Sequence, residues 1–173
     1  MGRSILLLAC ALALACASPG PSPEALAAEQ TALAQVLAAP PERAAPGALV
    51  VRLAFGADAD LDLYVTDAGH ETVYFGNSPS TTGGELLADV RCEAPAPRVE
   101  TIVFEHRRRG SVRVGVDAPE GCRESVRAVP FVVELRAGEQ RIERRGIALP
   151  GRFEVIVLEA EVDGDTPPDH AAP

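Results

Sequence analysis

Between residues 47 and 162 the apolar side chains recur at every second position. Leu49, Val51, Leu53 and Phe55 alternate with Val50, Arg52 and Ala54. Val112, Val114 and Val116 alternate with Ser111, Arg113, Gly115 and Asp117, and Val129, Phe131, Val133 and Leu135 enclose polar Glu134. Phe153, Val155 and Val157 interleave with Ile156 and Leu158. A period of two belongs to strands, whose successive side chains point to opposite faces. Shorter strand candidates cover residues 71–75, 86–90, 100–105 and 141–147. Turn residues punctuate the runs at Asp67-Ala68-Gly69, Gly76-Asn77-Ser78-Pro79, Gly83-Gly84, Pro119-Glu120-Gly121 and Ala137-Gly138. No helical period persists in this region. The pattern predicts an all-β fold, an antiparallel β-sandwich of about eight or nine strands.

One strand carries candidate chemistry. In the run from Gly56 to Asp67, Leu61, Leu63 and Val65 alternate with Asp60, Asp62 and Tyr64. Read as a strand, it buries three apolar residues and lines acids on its other face. Carboxylates sharing a face repel unless water, an arginine or a metal ion compensates them. Calcium takes six to eight oxygens; Asp58, Asp60 and Asp62 could supply some, with Asp89 or Glu100 arriving from neighbouring strands. An EF-hand is excluded, because its glycine position falls on Leu63 and its closing glutamate position on Gly69. A solvated acidic rim, or ion pairs with Arg52 or Arg113 across the sheet, would account for the same residues. Spacing alone is permissive and leaves these readings open.

The ends of the chain differ from its middle. Arg3 precedes an apolar run from Ile5 to Ala15, too short to span a bilayer and laid out as a secretory signal peptide over residues 1–15. The segment Leu12-Ala13-Leu14-Ala15-Cys16 resembles the lipobox of bacterial lipoproteins, which implies lipidation at Cys16; plain secretion is the alternative. Residues 16–46 are rich in Ala and Pro and read as a linker. Within it, Ser22-Pro23-Glu24 is suited to start a short helix reaching about Ala38, with Leu26, Leu33 and Leu37 as its apolar stripe. Residues 163–173 lack apolar content and are expected to be disordered. Cys92 and Cys122 form the remaining cysteine pair. Outside the cytoplasm such a pair favours a disulfide, which for a loop of this size contributes about 3 kcal/mol.

Charge and motif content narrow the function classes. Sixteen basic residues, all arginine, face 25 acids for a net charge of −9, which disfavours nucleic acid. The cluster Arg107-Arg108-Arg109 precedes Gly110 and suits a solvated hairpin tip. No Gly-x-Ser-x-Gly elbow, Ser-x-x-Lys pair or His-Glu-x-x-His motif occurs. His70, His106 and His170 sit in turns, strand ends or the tail, and an Asp62–Glu100 carboxylate pair would be the one acid–base candidate. The polar segment 75–84 has the character of a binding loop. Tyr64 and Tyr74 are the only tyrosines, a sparse platform for sugars.

The ordered motifs Asp60-Leu61-Asp62-Leu63-Tyr64-Val65, Gly69, Tyr74-Phe75-Gly76-Asn77 and Gly83-Gly84-Glu85-Leu86 followed by Asp89 resemble the bacterial YfaP-like domain of unknown function. Val99-Glu100-Thr101-Ile102 and Gly110-Ser111-Val112-Arg113-Val114-Gly115-Val116 continue the likeness over about residues 47–162. Phe55, Ala68 and Val112 depart from the tryptophan, proline and tyrosine of that family's pattern. The resemblance implies a secreted or periplasmic β-sandwich akin to prepeptidase C-terminal modules, with no established reaction. Together these features describe a non-enzymatic cell-envelope lipoprotein, lipid-anchored or secreted, with a binding or accessory module that calcium would stabilise. Its partner would be an envelope protein or polysaccharide. A calcium-dependent structural domain without a specific partner, and an envelope hydrolase, are the alternatives.

Overall fold

The computed structural model describes residues 20–41, 43–123 and 128–165. It contains one helix, α1 (Pro23–Ala38), and nine strands: β1 (Leu49–Phe55), β2 (Ala59–Thr66), β3 (Thr72–Val73), β4 (Gly84–Leu86), β5 (Arg98–Phe104), β6 (Gly110–Gly121), β7 (Val129–Ala137), β8 (Gln140–Ala148) and β9 (Arg152–Val162). They form two antiparallel sheets, ordered β4-β5-β1-β7-β8 and β3-β2-β6-β9. The sandwich expected from the period of two is therefore the fold. Leu53, Phe55, Leu61, Leu63, Ile102, Val114, Val133 and Leu135 meet between the sheets and are fully or almost fully buried. The predicted strand over 86–90 is not formed. After Leu86 the chain leaves the sheet in a loop over 87–97, where Val90 N–H turns to the Glu100 carboxylate instead of a strand partner.

Helix α1 starts as the sequence suggests. Ser22 Oγ accepts from Ala25 N–H at 3.2 Å and Pro23 occupies the first turn, where its missing N–H costs nothing. The helix packs on the outer face of the five-stranded sheet: Leu33 and Leu37 bury against Ala54 of β1 and Val132 of β7. Each such leucine contributes about 2 kcal/mol. Its last turn is clamped by arginines from those strands. Arg52 donates to the Leu37 and Ala39 carbonyls, and Arg136 to the Leu37 carbonyl. Cations at a helix C-terminus satisfy its free carbonyls and complement its dipole. Glu134, wholly buried, sits among Arg52 (3.9 Å), Arg136 (2.7 Å) and Arg141 and holds this cluster together.

The disulfide between Cys92 and Cys122 ties the 87–97 loop to the end of β6. Arg98 reinforces the junction, donating to the carbonyls of Gly56, Ala59, Cys92 and Ala94. At the other end, residues 163–165 run beside the β5–β6 loop, where Arg107 N–H donates to Asp165 Oδ2 at 2.9 Å. Cys16, the signal segment and His170 lie outside the described residues.

Candidate functional site

The four-stranded sheet has an incomplete edge, and the candidate site grows from it. β3 pairs with β2 only at Val65 and Thr66, so the start of β2 has backbone groups facing no strand. Buried backbone donors need partners. Leu63 N–H finds one in Glu100 Oε2 at 2.8 Å, and Val90 N–H takes Glu100 Oε1 at 3.0 Å. One buried glutamate from β5 thus caps the β2 edge and fixes the 87–97 loop. That loop carries Asp89. Oxygens of Asp62, Asp89 and Glu100 consequently converge to within 4.8 Å of one another.

These acids are only partly balanced by positive charge. Burial pushes the Glu100 carboxyl up to about 8; the Val90 and Leu63 N–H groups oppose that rise, while Asp62 and Asp89 add to it. Asp62 is pushed up to about 6, first by burial and then by Asp60, Asp89 and Asp117. Asp60 is raised by burial and Asp89, and its Oδ1 has no hydrogen-bond partner among the described residues. Arg91 is the nearby cation: it pairs with Asp89 at 2.7 Å and opposes the rise of Asp62 and Asp60 without cancelling it. Three converging carboxylate oxygens suit a hard divalent ion, which would displace protons from them. They suit acid–base chemistry less, since both oxygens of Glu100 already accept backbone N–H groups.

The five acids named from sequence therefore part company. Asp62, Asp89 and Glu100 meet. Asp60 lies nearer Cys92 and Glu120, and the sulfur there is held in the disulfide rather than free as a thiolate. Asp58 is exposed and pairs with Arg123 at 3.3 Å. Neither Arg52 nor Arg113 neutralises the group: Arg52 belongs to the Glu134 cluster on the opposite sheet, and Arg113 lies further along β6, opposite Thr66 and Glu159.

A second feature adjoins the acids. Of the five phenylalanines and two tyrosines, Phe55, Phe104 and Phe131 fill the core, whereas Tyr64, Tyr74, Phe75 and Phe153 gather on the outer face of the four-stranded sheet. Tyr64 stacks on Tyr74 with ring centroids 4.9 Å apart and meets Phe153 at 4.8 Å, and Tyr74 meets Phe75 edge-on at 5.4 Å. Gly115 of β6 lies between Tyr64 and the β9 bulge; a Cβ there would come within 3.1 Å of the Phe153 ring. Phe75 and Phe153 remain about half exposed. Burial, then Asp62 and Asp117, pushes the Tyr64 hydroxyl up to about 12.

The loop that carries Tyr74 and Phe75 is braced rather than loose. Glu71 accepts from Thr81 N–H and Oγ1, Thr82 N–H and Asn77 Nδ2, and these bonds hold its carboxyl down to about 2. Sequence reasoning named Tyr64 and Tyr74 but missed Phe75 and Phe153 as their companions. Comparisons with protein-family models, with curated proteins and with solved structures find no match to this chain.

Proposed function

We propose that the chain is a non-enzymatic cell-envelope lipoprotein whose β-sandwich serves as a binding or accessory module, anchored through Cys16 and stabilised by calcium at Asp62, Asp89 and Glu100. The observation that carries the binding role is the aromatic row on the outer face of the four-stranded sheet, in which half-buried Tyr64 and Tyr74 support exposed Phe75 and Phe153. Large side chains placed together on a surface at the expense of solvation mark contact sites. The Glu71-braced loop holds two of them in place beforehand, which lowers the entropic cost of binding. The likeness to YfaP-like domains agrees with such a role and carries no reaction.

Calcium is the more specific part of the reading. It is supported by the convergence of the Asp62, Asp89 and Glu100 carboxylates. The hydrolase alternative has less support, because Glu100 is committed to two backbone amides. The test of the module is retention. Envelope protein and polysaccharide fractions are passed over the full chain and over its Phe75→Ser/Phe153→Ser variant. Material held by the first and released by the second is expected; equal retention overturns the binding role. Loss of membrane fractionation in Cys16→Ala checks the anchor.

A further inference from the structure

We propose that the outer face of the four-stranded sheet docks a basic segment of a protein partner, with an arginine guanidinium lying on Phe153 and Tyr64 beside Asp117 and Asp62. This inference rests on the reading of the sandwich as a binding module and names its partner by chemistry. The register places Asp62 of β2 directly opposite Asp117 of β6, and Asp117 directly opposite Phe153 of β9. Tyr64 and Gly115 form the neighbouring pair. Two acids facing each other across a ladder destabilise it. Asp62 accepts no hydrogen bond and makes no ion pair among the described residues, although only 8% of it is exposed. Within the described part of the chain Arg91, held by Asp89, offsets this charge only in part, and an incoming cation would add to that relief.

The shape of the site selects the type of cation. A guanidinium is planar, lies on aromatic faces and bonds carboxylates through two N–H groups at once. Gly115 leaves no side chain between the rings and the strand, so Phe153 reaches across to Tyr64. The result is a row open at Phe153, beside an acid pair whose more accessible member is Asp117, suited to a side chain arriving on an extended segment. The chain's net charge of −9 would steer such a segment inward.

The test titrates fluorescently labelled nine-residue peptides onto the full chain: one rich in arginine, one with lysine in its place. Glucose and N-acetylglucosamine oligomers form a neutral arm. Saturable binding of the arginine peptide is expected, tighter than that of the lysine peptide. It should weaken about tenfold or more in Phe153→Ala and in Asp117→Asn, and stay unchanged in Glu139→Gln on the far hairpin. Asp117 faces Asp62 of the three-carboxylate cluster, so each titration is run with calcium and with chelator, and a loss seen in both is separate from calcium; where Phe153→Ala fails to fold, Asp117→Asn decides. Equal weakening in Glu139→Gln, or none in Asp117→Asn, would reduce the binding to diffuse charge and overturn the proposal. Binding of neutral oligomers without the peptide, lost in Phe153→Ala, would overturn the basic partner while sparing the module. Binding of neither probe would overturn the basic partner and leave the module to the envelope-fraction test.

Discussion

Two glutamates in this sandwich are equally hidden and oppositely surrounded. Glu134 on β7 is 0% exposed and Glu100 on β5 is 1% exposed. Glu134 meets Arg52, Arg136 and Arg141, two of which also hold the end of α1. Burial pushes the Arg52 guanidinium down from its usual value, Glu134 opposes that shift, and Arg136 adds to it. Glu100 instead meets two backbone amides and the carboxylates of Asp62 and Asp89. A buried acid is therefore not in itself a sign of function. The sign of its neighbours separates a structural rivet from a group that gains by taking up a proton or a cation.

The largest effect should come from breaking the balanced side. Glu134→Gln leaves three arginines around an uncharged group, and breaking a buried pair in this way costs about 3–5 kcal/mol. Urea denaturation should show a lower midpoint at every pH tested. Next comes the disulfide. Reducing Cys92–Cys122 should cost about 3 kcal/mol and loosen the loop that brings Asp89 and Val90 to Glu100. Any calcium response should then shrink, while the contacts of α1 persist in hydrogen exchange.

Saturating calcium sharpens the comparison. At a hundredfold excess over its dissociation constant it would add about 2.7 kcal/mol, read as a rise in Tm against chelator. A Tm that calcium leaves unmoved removes the ion from the proposed function. Without metal, the raised Asp62 and Glu100 bind protons more tightly in the folded chain than in the unfolded one. Their contribution is fully present below about pH 4, shrinks as pH passes 6 and is gone above 8. Tm should accordingly be higher at pH 5 than at pH 8, whereas calcium should help most at pH 8. Glu71, held low, acts in the opposite sense and loses its contribution as pH falls from about 4 to 2. The smallest effect is Asp62→Asn. It should stabilise the metal-free chain by about 1 kcal/mol at pH 8 by removing a charge opposite Asp117, and do little at pH 5.

The fold was legible because both sheets bury one face, so the period of two appears in almost every strand. Leu61, Leu63 and Val65 entered the core as their alternation predicts. The site was legible only in part. Asp62, Asp89 and Glu100 could be named, but nothing local separates them from Asp58, which is exposed on Arg123. Glu100 gains its place from a long-range vacancy, the β2 edge that β3 leaves unpaired. The aromatic row was hidden for a similar reason. Uniform alternation would put Phe153, Val155 and Val157 on one face. The other set, Ile156, Leu158 and Ala160, is as apolar, so alternation alone does not say which set faces the core; pairing with β6 turns Phe153 outward and Leu158 and Ala160 inward.

The docking of α1 also gives the molecule a front and a back. The helix occupies the outside of one sheet, and Tyr64 and Phe153 lie on the outside of the other. A tether entering at Ser22 would approach from the helical side and leave the aromatic side turned away from whatever holds it. A pull on that tether would reach β1 and β7, inner members of their five-stranded sheet, through arginines gripping the last carbonyls of the helix. The load would thus bypass the edges, where strands peel most easily.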